Sequence, residues 1–287
     1  MTEKSLKHIA VAAHPLISEA AEEMAQIVAF IEERGIQITH GLLNDGKLRE
    51  MVDDKVFDLL IVLGGDGTVL RAGHLCAPNN VPILAINVGH FGFLIEVAKN
   101  KWREKLPDLL SGNYWLEERM MLRAELWRAG KSLQEWDVLN EAFIGRGEVA
   151  RPVHLETDLD GRSLTTYVAD GLLVATPTGS SAYALAAGGP ILPPELRNIL
   201  LVPVAPHLSI DRAIVLAEGS DIGVTVRSDH QVVLSADGKH PINLERDDRI
   251  KVHASEHTVQ FVRFQDRGYF YRHLIRLMDQ NPSTGAT

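Results

Sequence analysis

The run Phe57-Asp58-Leu59-Leu60-Ile61-Val62-Leu63 is apolar at every position but one and stops at Gly64-Gly65. A short, nearly continuous apolar run bounded by glycines reads as a buried strand. The pattern recurs on both sides of it. Residues 9–13 form another apolar strand, and residues 18–34 follow with Ala21, Met24, Ala25, Val28 and Ile31 at helical spacing. Ser18 is the expected cap of that helix, with Glu19, Glu22 and Glu23 near its start and Gly35 as its stop. Residues 36–39 predict a second strand, 68–76 a helix, and 81–88 a further strand with Pro82 at its start. Strand and helix alternating in this order predict a parallel sheet with helices on its faces.

The texture changes near Trp115. Residues 121–129, 153–160, 164–168, 222–226, 231–234 and 249–254 alternate apolar with polar, and Asp160-Gly161, Glu218-Gly219 and Asp237-Gly238 supply turns between them. An antiparallel, β-rich domain is expected there. Residues 268–278 place Tyr271, Leu274, Ile275 and Met278 at helical spacing, so a C-terminal helix is expected to return to the first domain, followed by a frayed tail over 281–287. The predicted organisation is an α/β domain over 1–115, joined by 262–287, and a β-rich domain over 116–261.

A net charge of -9 leaves no surplus of Lys and Arg to displace phosphate counterions, so nucleic acid is not an expected partner. A small anionic ligand needs only a few local donors. The single cysteine, Cys76, lies between Leu75 and Ala77 and reads as a small core residue. With no pair for a disulfide, the expected compartment is the reducing cytoplasm. The apolar run 9–13 is too short for a signal peptide, and no stretch is long enough to span a bilayer, so no membrane association is expected.

The strongest chemical signal is Leu63-Gly64-Gly65-Asp66-Gly67-Thr68 at the end of an apolar strand. Three glycines in four positions are expected to turn the backbone sharply and let a ligand approach it, while a helix starting near Thr68 points free N–H groups at an anion. Asp66 is then held beside the phosphate. The plainer reading is a strand-to-helix turn with a capping Asp. No Gly-x-x-x-x-Gly-Lys-[Ser/Thr] occurs, so this is not a P-loop protein. The stretch from Gly145-Arg146-Gly147 to Ala150 matches a dinucleotide-binding pattern, but Arg151-Pro152 stands where its helix should run and the surroundings alternate like strands.

A second cluster leads from Asp170-Gly171 through an apolar strand to Thr176-Pro177-Thr178-Gly179-Ser180-Ser181-Ala182-Tyr183 and on to Gly188-Gly189-Pro190. Its hydroxyls and turn amides suit a base or sugar, and Tyr183 offers an aromatic face; a Thr/Ser-rich connection capping a short helix is the plainer reading. Asn140-Glu141 interrupts an apolar run, and such a pair must find hydrogen bonds or face solvent.

Taken together and in order, Gly64-Gly65-Asp66-Gly67-Thr68 with Arg71, Asn87-Val88-Gly89-His90-Phe91-Gly92-Phe93-Leu94, Asn140-Glu141, Asp170-Gly171 and the 176–190 cluster resemble the bacterial NAD kinase family, over most of the chain. The first motif alone is shared with diacylglycerol and sphingosine kinases and, more distantly, phosphofructokinases; the later ones separate NAD kinases from these. The resemblance implies a Rossmann-like α/β domain, a C-terminal β-sandwich-like domain, and NAD in the cleft between them. It implies Mg²⁺-dependent phosphoryl transfer from ATP, or another triphosphate or polyphosphate, to the adenosine 2′-hydroxyl of NAD. Asp66 is implied as the base and Gly67 as lying against NAD, with Gly64, Gly65, Gly67 and Thr68 as the phosphate loop. Arg71 is implied near the dinucleotide phosphates, Asn140 and Glu141 at adenine and ribose hydroxyls, and Asp170 at the nicotinamide half. Ser181, Ala182, Tyr183 and Ala186 line the same pocket by this resemblance, Arg151 is a basic ligand contact, and Lys239 falls where a Gln often meets NAD.

The chain departs from the family pattern in places. Ser181 replaces a usual Thr, Ile95 stands where Thr is common, and His90-Phe91 where Asn-Leu is frequent. A kinase for a lipid or sugar hydroxyl and a non-catalytic NAD(P) sensor are the competing readings. The many short strands of the second half leave edges to cover, and a homotetramer or homodimer is the expected assembly.

Overall fold

The computed structural model describes residues 6–89, 92–147, 151–207, 210–272 and 274. The chain forms two compact units, one running to Glu118 and resuming at Val259, the other Arg119–Thr258.

The first unit alternates β1 (His8–Ala13), α1 (Ser18–Glu32), β2 (Gln37–Leu42), α2 (Gly46–Asp53), β3 (Leu59–Gly64), α3 (Asp66–Cys76), β4 (Ile83–Asn87) and α4 (Trp102–Leu110). The four strands lie in the order β2-β1-β3-β4, all parallel. β1, β3 and β4 are buried at every residue, as a sheet covered on both faces requires. Ile9, Val11, Leu59, Ile61, Leu84 and Ile86 pack with α1 and α4 through Ile27, Ile31, Trp102 and Leu106. α3 packs against β3 and β4, and α2 against α3.

Local readings need three corrections here. Ser18 is the first residue of α1, and the cap position is Ile17, with no side-chain bond. α3 starts at Asp66, two residues before the expected Thr68. α2 and α4, which the sequence reading passed over, are short and amphipathic, and Asp45 caps α2 by accepting from the Lys47 and Leu48 amides. Gly35 does end α1: at φ +74 its N–H closes on the Glu32 carbonyl at 2.9 Å.

The second unit is built from β5 (Trp115–Arg128) from Arg119 onward, β6 (Lys131–Val138), β7 (Glu141–Arg146), β8 (Val153–Leu159), β9 (Arg162–Ala169), β10 (Gly171–Ala175), the one-turn α5 (Tyr183–Ala186), β11 (Asn198–Val204), β12 (Ile214–Ala217), β13 (Ile222–Val226), β14 (Val232–Ala236), β15 (Ile242–Leu244) and β16 (Arg249–Arg263) as far as Thr258. β12-β11-β10-β7-β14-β15 form one antiparallel sheet, while β16-β13-β8-β9 pair antiparallel in another. Alternate residues from both, such as Ile144, Leu172, Val174, Leu201, Leu155, Tyr167, Val224 and Ile250, fill one core, a sandwich. Asp160-Gly161 and Asp237-Gly238 carry positive φ at both positions, 50° and 74°, then 51° and 65°; the first pair alone closes a tight hairpin from β8 to β9, and the second opens the longer connection 237–241 from β14 to β15.

Beyond β16, residues 269–272 and 274 are helical, and Tyr269 and Phe270 are buried. Ile275, Met278 and the tail over 281–287 lie outside the described residues, as do His90, Phe91 and Ala150. No described helix is long and apolar enough to cross a membrane.

Cys76 is wholly buried at the end of α3, and burial pushes its thiol pKa up. In native protein it is expected to react with a thiol reagent only at the rate of unfolding, and in urea at once. Rapid stoichiometric labelling of the folded chain contradicts that placement.

Candidate active site

β3 delivers Asp66 to the start of α3 at the sheet's carboxyl edge. Asp66 is the first residue of the helix, and the cap position is Gly65, without a side-chain bond. Asp66 Oδ2 accepts the Phe93 N–H at 2.8 Å, and Oδ1 accepts the Leu94 N–H at 3.1 Å. A Cβ on Gly92 would sit 2.2 Å from that carboxyl group, so only glycine lets the 92–94 segment close on Asp66. The plainer reading, a capping Asp in a turn, is therefore set aside.

The glycines act differently from expectation. None of Gly64, Gly65 and Gly67 has a left-handed φ, so they do not serve a sharp turn. Gly64 makes room for the buried Thr68, whose Oγ1 would lie 2.4 Å from an added Cβ. At Gly65 and Gly67 a Cβ would meet nothing, and Gly67 is exposed; bare backbone there faces open space at a helix start. Arg71 is exposed one turn further along, with no hydrogen bond or ion pair among the described residues. Asn87, at the end of β4, is buried and donates to the Gly89 carbonyl at 3.0 Å. Ile95 is fully buried, so the apolar side chain at that departure from the family pattern serves the core.

In the second unit, Asn140 and Glu141 lie where β7 begins. They are not the solvent side of a strand: Glu141 is buried. Asp237, at the β14–β15 hairpin, accepts three successive amides, Leu139 at 2.8 Å, Asn140 at 2.7 Å and Glu141 at 3.1 Å. This sets the backbone of the pair from a residue read in the sequence only as a turn. The Glu141 carboxyl is buried, and its Oε2 has no hydrogen-bond partner among the described residues. Thr176 bonds both ways to the same corner, its N–H to Asn140 O at 2.9 Å and its hydroxyl to Leu139 O at 2.5 Å.

The hydroxyl-rich turn is braced from within. Ser180 Oγ donates to Pro177 O at 2.6 Å and accepts the Leu192 N–H at 2.9 Å, while Ser181 Oγ donates to Thr178 O at 3.1 Å. These groups shape the turn first, and Ser181 keeps acceptor capacity for a ligand. Tyr183 and Ala186 are exposed and Ala182 is half-buried. The Tyr183 ring lies 5.6 Å from Phe143. Phe143 in turn lies over Gly145 and Gly171, where an added Cβ would come within 2.2 and 2.3 Å of its ring. Gly145 and Arg146 thus belong to a strand, and the dinucleotide-type match over 145–150 is fortuitous. Asp170 sits at the far end of β10 and pairs with Arg146 at 2.9 Å. Arg151 and Lys239 are exposed, and no described interaction draws either side chain to the Asn140–Glu141 corner.

Burial, and then the Asp237 charge, raise the Glu141 pKa to about 7, against one Tyr183 N–H that lowers it. Because the folded value lies above the ordinary 4.5, the group's contribution to stability is complete below that pH and is lost as pH rises through about 7. Glu141→Gln stays neutral, so it is expected to gain on the wild type by up to about 3 kcal/mol between roughly pH 4.5 and pH 8. Urea unfolding of both proteins across that range measures this; a constant difference overturns the assignment.

Residues 44–114 match the family model of the ATP-NAD kinase N-terminal domain, and residues 139–264 that of the ATP-NAD kinase C-terminal domain. A NAD kinase of Chloroflexus aurantiacus is 38% identical over 271 residues, 94% of this chain and 98% of the relative. One from Symbiobacterium thermophilum is 43% identical over 222 residues, 76% of this chain and 77% of the relative. Among solved structures, yeast NADH kinase complexed with NADH is similar at a TM-score of 0.85 and 26% identity, over 97% of this chain and 89% of that one. An NAD kinase from Archaeoglobus fulgidus in complex with ATP shares the fold at a TM-score of 0.72 and 23% identity, over 92% and 96% of the two chains. With both domains matched in order and a relative alike along nearly its whole length, this chain belongs to the NAD kinase family.

Proposed function

We propose that Asp66 accepts the proton of the adenosine 2′-hydroxyl when this chain transfers a phosphoryl group from ATP to NAD, giving NADP. The observation that carries this is a carboxylate fixed through both oxygens by the Phe93 and Leu94 amides beside an exposed glycine backbone. The two N–H bonds orient the group, and a carboxylate oxygen can accept more than one hydrogen. The 2′-oxygen bonds to the γ-phosphorus as the bond to the leaving diphosphate breaks, and the proton passes to Asp66. Positioning dominates such a transfer, and a carboxylate serves best by orienting the hydroxyl and taking its proton late.

The amides of Gly65 and Gly67 suit donor phosphates, while Thr68, whose own N–H donates to the Gly65 carbonyl at 2.9 Å, shapes the loop together with Gly64, and Arg71, exposed and without an ion pair among the described residues, suits a dinucleotide phosphate. Asn140 and Glu141 suit adenine and ribose hydroxyls; Ser181, Ala182, Tyr183 and Ala186 line the same ligand. Asp170, steadied by Arg146, suits the nicotinamide carboxamide. Arg151 and Lys239 are exposed cations that would reach the ligand only from its edge. Mg²⁺ fits as an ion carried on the donor: no three His, Cys, Asp or Glu residues gather to hold a metal among the described residues, and this ion is ordinarily bound by phosphates, water and one or two carboxylates. Asp66 is the carboxylate nearest the loop, and the ion would supply neutralisation of charge on the transferred group.

Asp66→Asn is expected to bind NAD nearly as well by calorimetry while kcat falls about 10²–10⁴-fold. Turnover near that of the wild type removes the role, and NAD binding without turnover in the wild type favours a sensor. Asp170→Asn and Glu141→Gln are expected to raise KM for NAD more than they lower kcat. An effect confined to KM for ATP contradicts the acceptor assignment. Self-association is part of the proposal, because β12 ends a sheet with Val215 48% exposed. Light scattering at micromolar concentration is expected to give a dimer or tetramer mass, and a monomer mass refutes it.

A further inference from the structure

We infer that Arg263 is a positioning residue for phosphoryl transfer, acting through the Leu94 peptide to hold the Asp66 carboxylate. The inference rests on the reading of Asp66 as the base. Leu94 is grasped from both sides: its N–H donates to Asp66 Oδ1 at 3.1 Å, and its carbonyl accepts from Arg263 NH1 at 3.3 Å. Residues 92–96 belong to no strand or helix, so no ladder of backbone bonds fixes this peptide. The segment rejoins the sheet only at Glu96 and Val97, whose N–H groups donate to Ala85 O at 3.2 and 3.1 Å.

Arg263 has no exposed surface, which is unusual for a cation and calls for a reason. Its Nε donates to Glu117 Oε2 at 2.9 Å and its NH1 to Glu96 Oε2 at 3.3 Å. The carboxylates are themselves anchored: Tyr269 donates its hydroxyl to Glu117 Oε1 at 2.6 Å, and the Phe264 N–H binds Glu96 Oε1 at 2.9 Å. A buried ion cluster of this kind is poor value as a stabiliser, since apolar residues of the same volume often do as well. What it provides is a rigid planar fork, held at several points, with one nitrogen aimed at the Leu94 carbonyl. The charge that cannot be solvated thereby fixes a loop that has no secondary structure of its own. The neighbouring Phe93 N–H, on the other Asp66 oxygen, shares that placement.

Arg263→Lys keeps the charge but cannot span Leu94, Glu96 and Glu117 together. It is expected to lower kcat about 10–100-fold, the scale of an ångström's misplacement, with KM for NAD little changed. Amide exchange at Phe93 and Leu94 should quicken, while exchange in β1 and β3 stays as in the wild type. In an Asp66→Asn background, Arg263→Lys should cost no further kcat, because the group it positions is gone. A kcat unchanged by Arg263→Lys, or a loss undiminished in the Asp66→Asn background, overturns the inference. Wild-type turnover by Asp66→Asn alone refutes the base instead, while exchange at Leu94 still reports whether Arg263 holds the loop. If Arg263→Lys does not fold, Tyr269→Phe, which removes one hydrogen bond to Glu117, carries the same cycle with an expected loss of about 3–10-fold.

Discussion

A carboxylate accepting backbone N–H groups from a distant segment is the interaction on which both halves of the molecule turn. Asp66 takes the amides of Phe93 and Leu94, and Asp237 those of Leu139, Asn140 and Glu141. Asp58 does the same at the start of β1, accepting from Lys7 and His8. Each amide so bound belongs to a segment entering or leaving a strand, where the ladder cannot supply an acceptor. Buried or half-buried N–H groups must be paired, and an ionised acceptor makes the stronger bond. The bond fixes the loop to the carboxylate and the carboxylate to the loop, which gives the site its order without regular structure.

The two halves use this device for different ends. At Asp66 the carboxylate is itself the group proposed to take the proton, and the amides orient it. At Asp237 the carboxylate is the support, and the residues it holds, Asn140 and Glu141, are the ones proposed to meet a ligand. Burial first and then the Asp237 charge raise the Glu141 pKa toward neutrality, so the supporting side chain also adds to the electrostatic tuning. The hydroxyls between Thr176 and Ser181 show a related economy, bracing a turn that leaves Tyr183 and Ala186 exposed beside the Glu141 corner.

Much of the architecture was legible from periodicity. The apolar strands β1, β3 and β4 and the long amphipathic α1 stand out because burial on both faces, or on one helical stripe, leaves a pattern within a few residues. α2 and α4 escaped because eight or nine polar-rich residues carry little periodic signal. The Gly64–Thr68 loop was legible as a candidate site, but the reason for its glycines was not. Close approach of Thr68 and open space at Gly65 and Gly67 depend on neighbours in space, whereas a sharp turn was expected from a local property, the left-handed φ that these glycines do not have.

By itself the sequence determined the alternation of strands and helices, the switch to antiparallel pairing after Trp115, the Asp-Gly hairpins and the identity of the polar residues that interrupt apolar runs. These follow from side-chain period and local backbone preference, which act over a few positions. Tertiary structure alone decided that Asp66 binds residues 27 and 28 positions away, that Asp237 serves a strand start 96–98 positions earlier, and that Arg263 reaches Leu94 across 169 residues. No local rule names the partner of a carboxylate or a buried guanidinium. The partner is set when folding removes water from both groups and leaves each other's atoms as the nearest hydrogen-bonding ones.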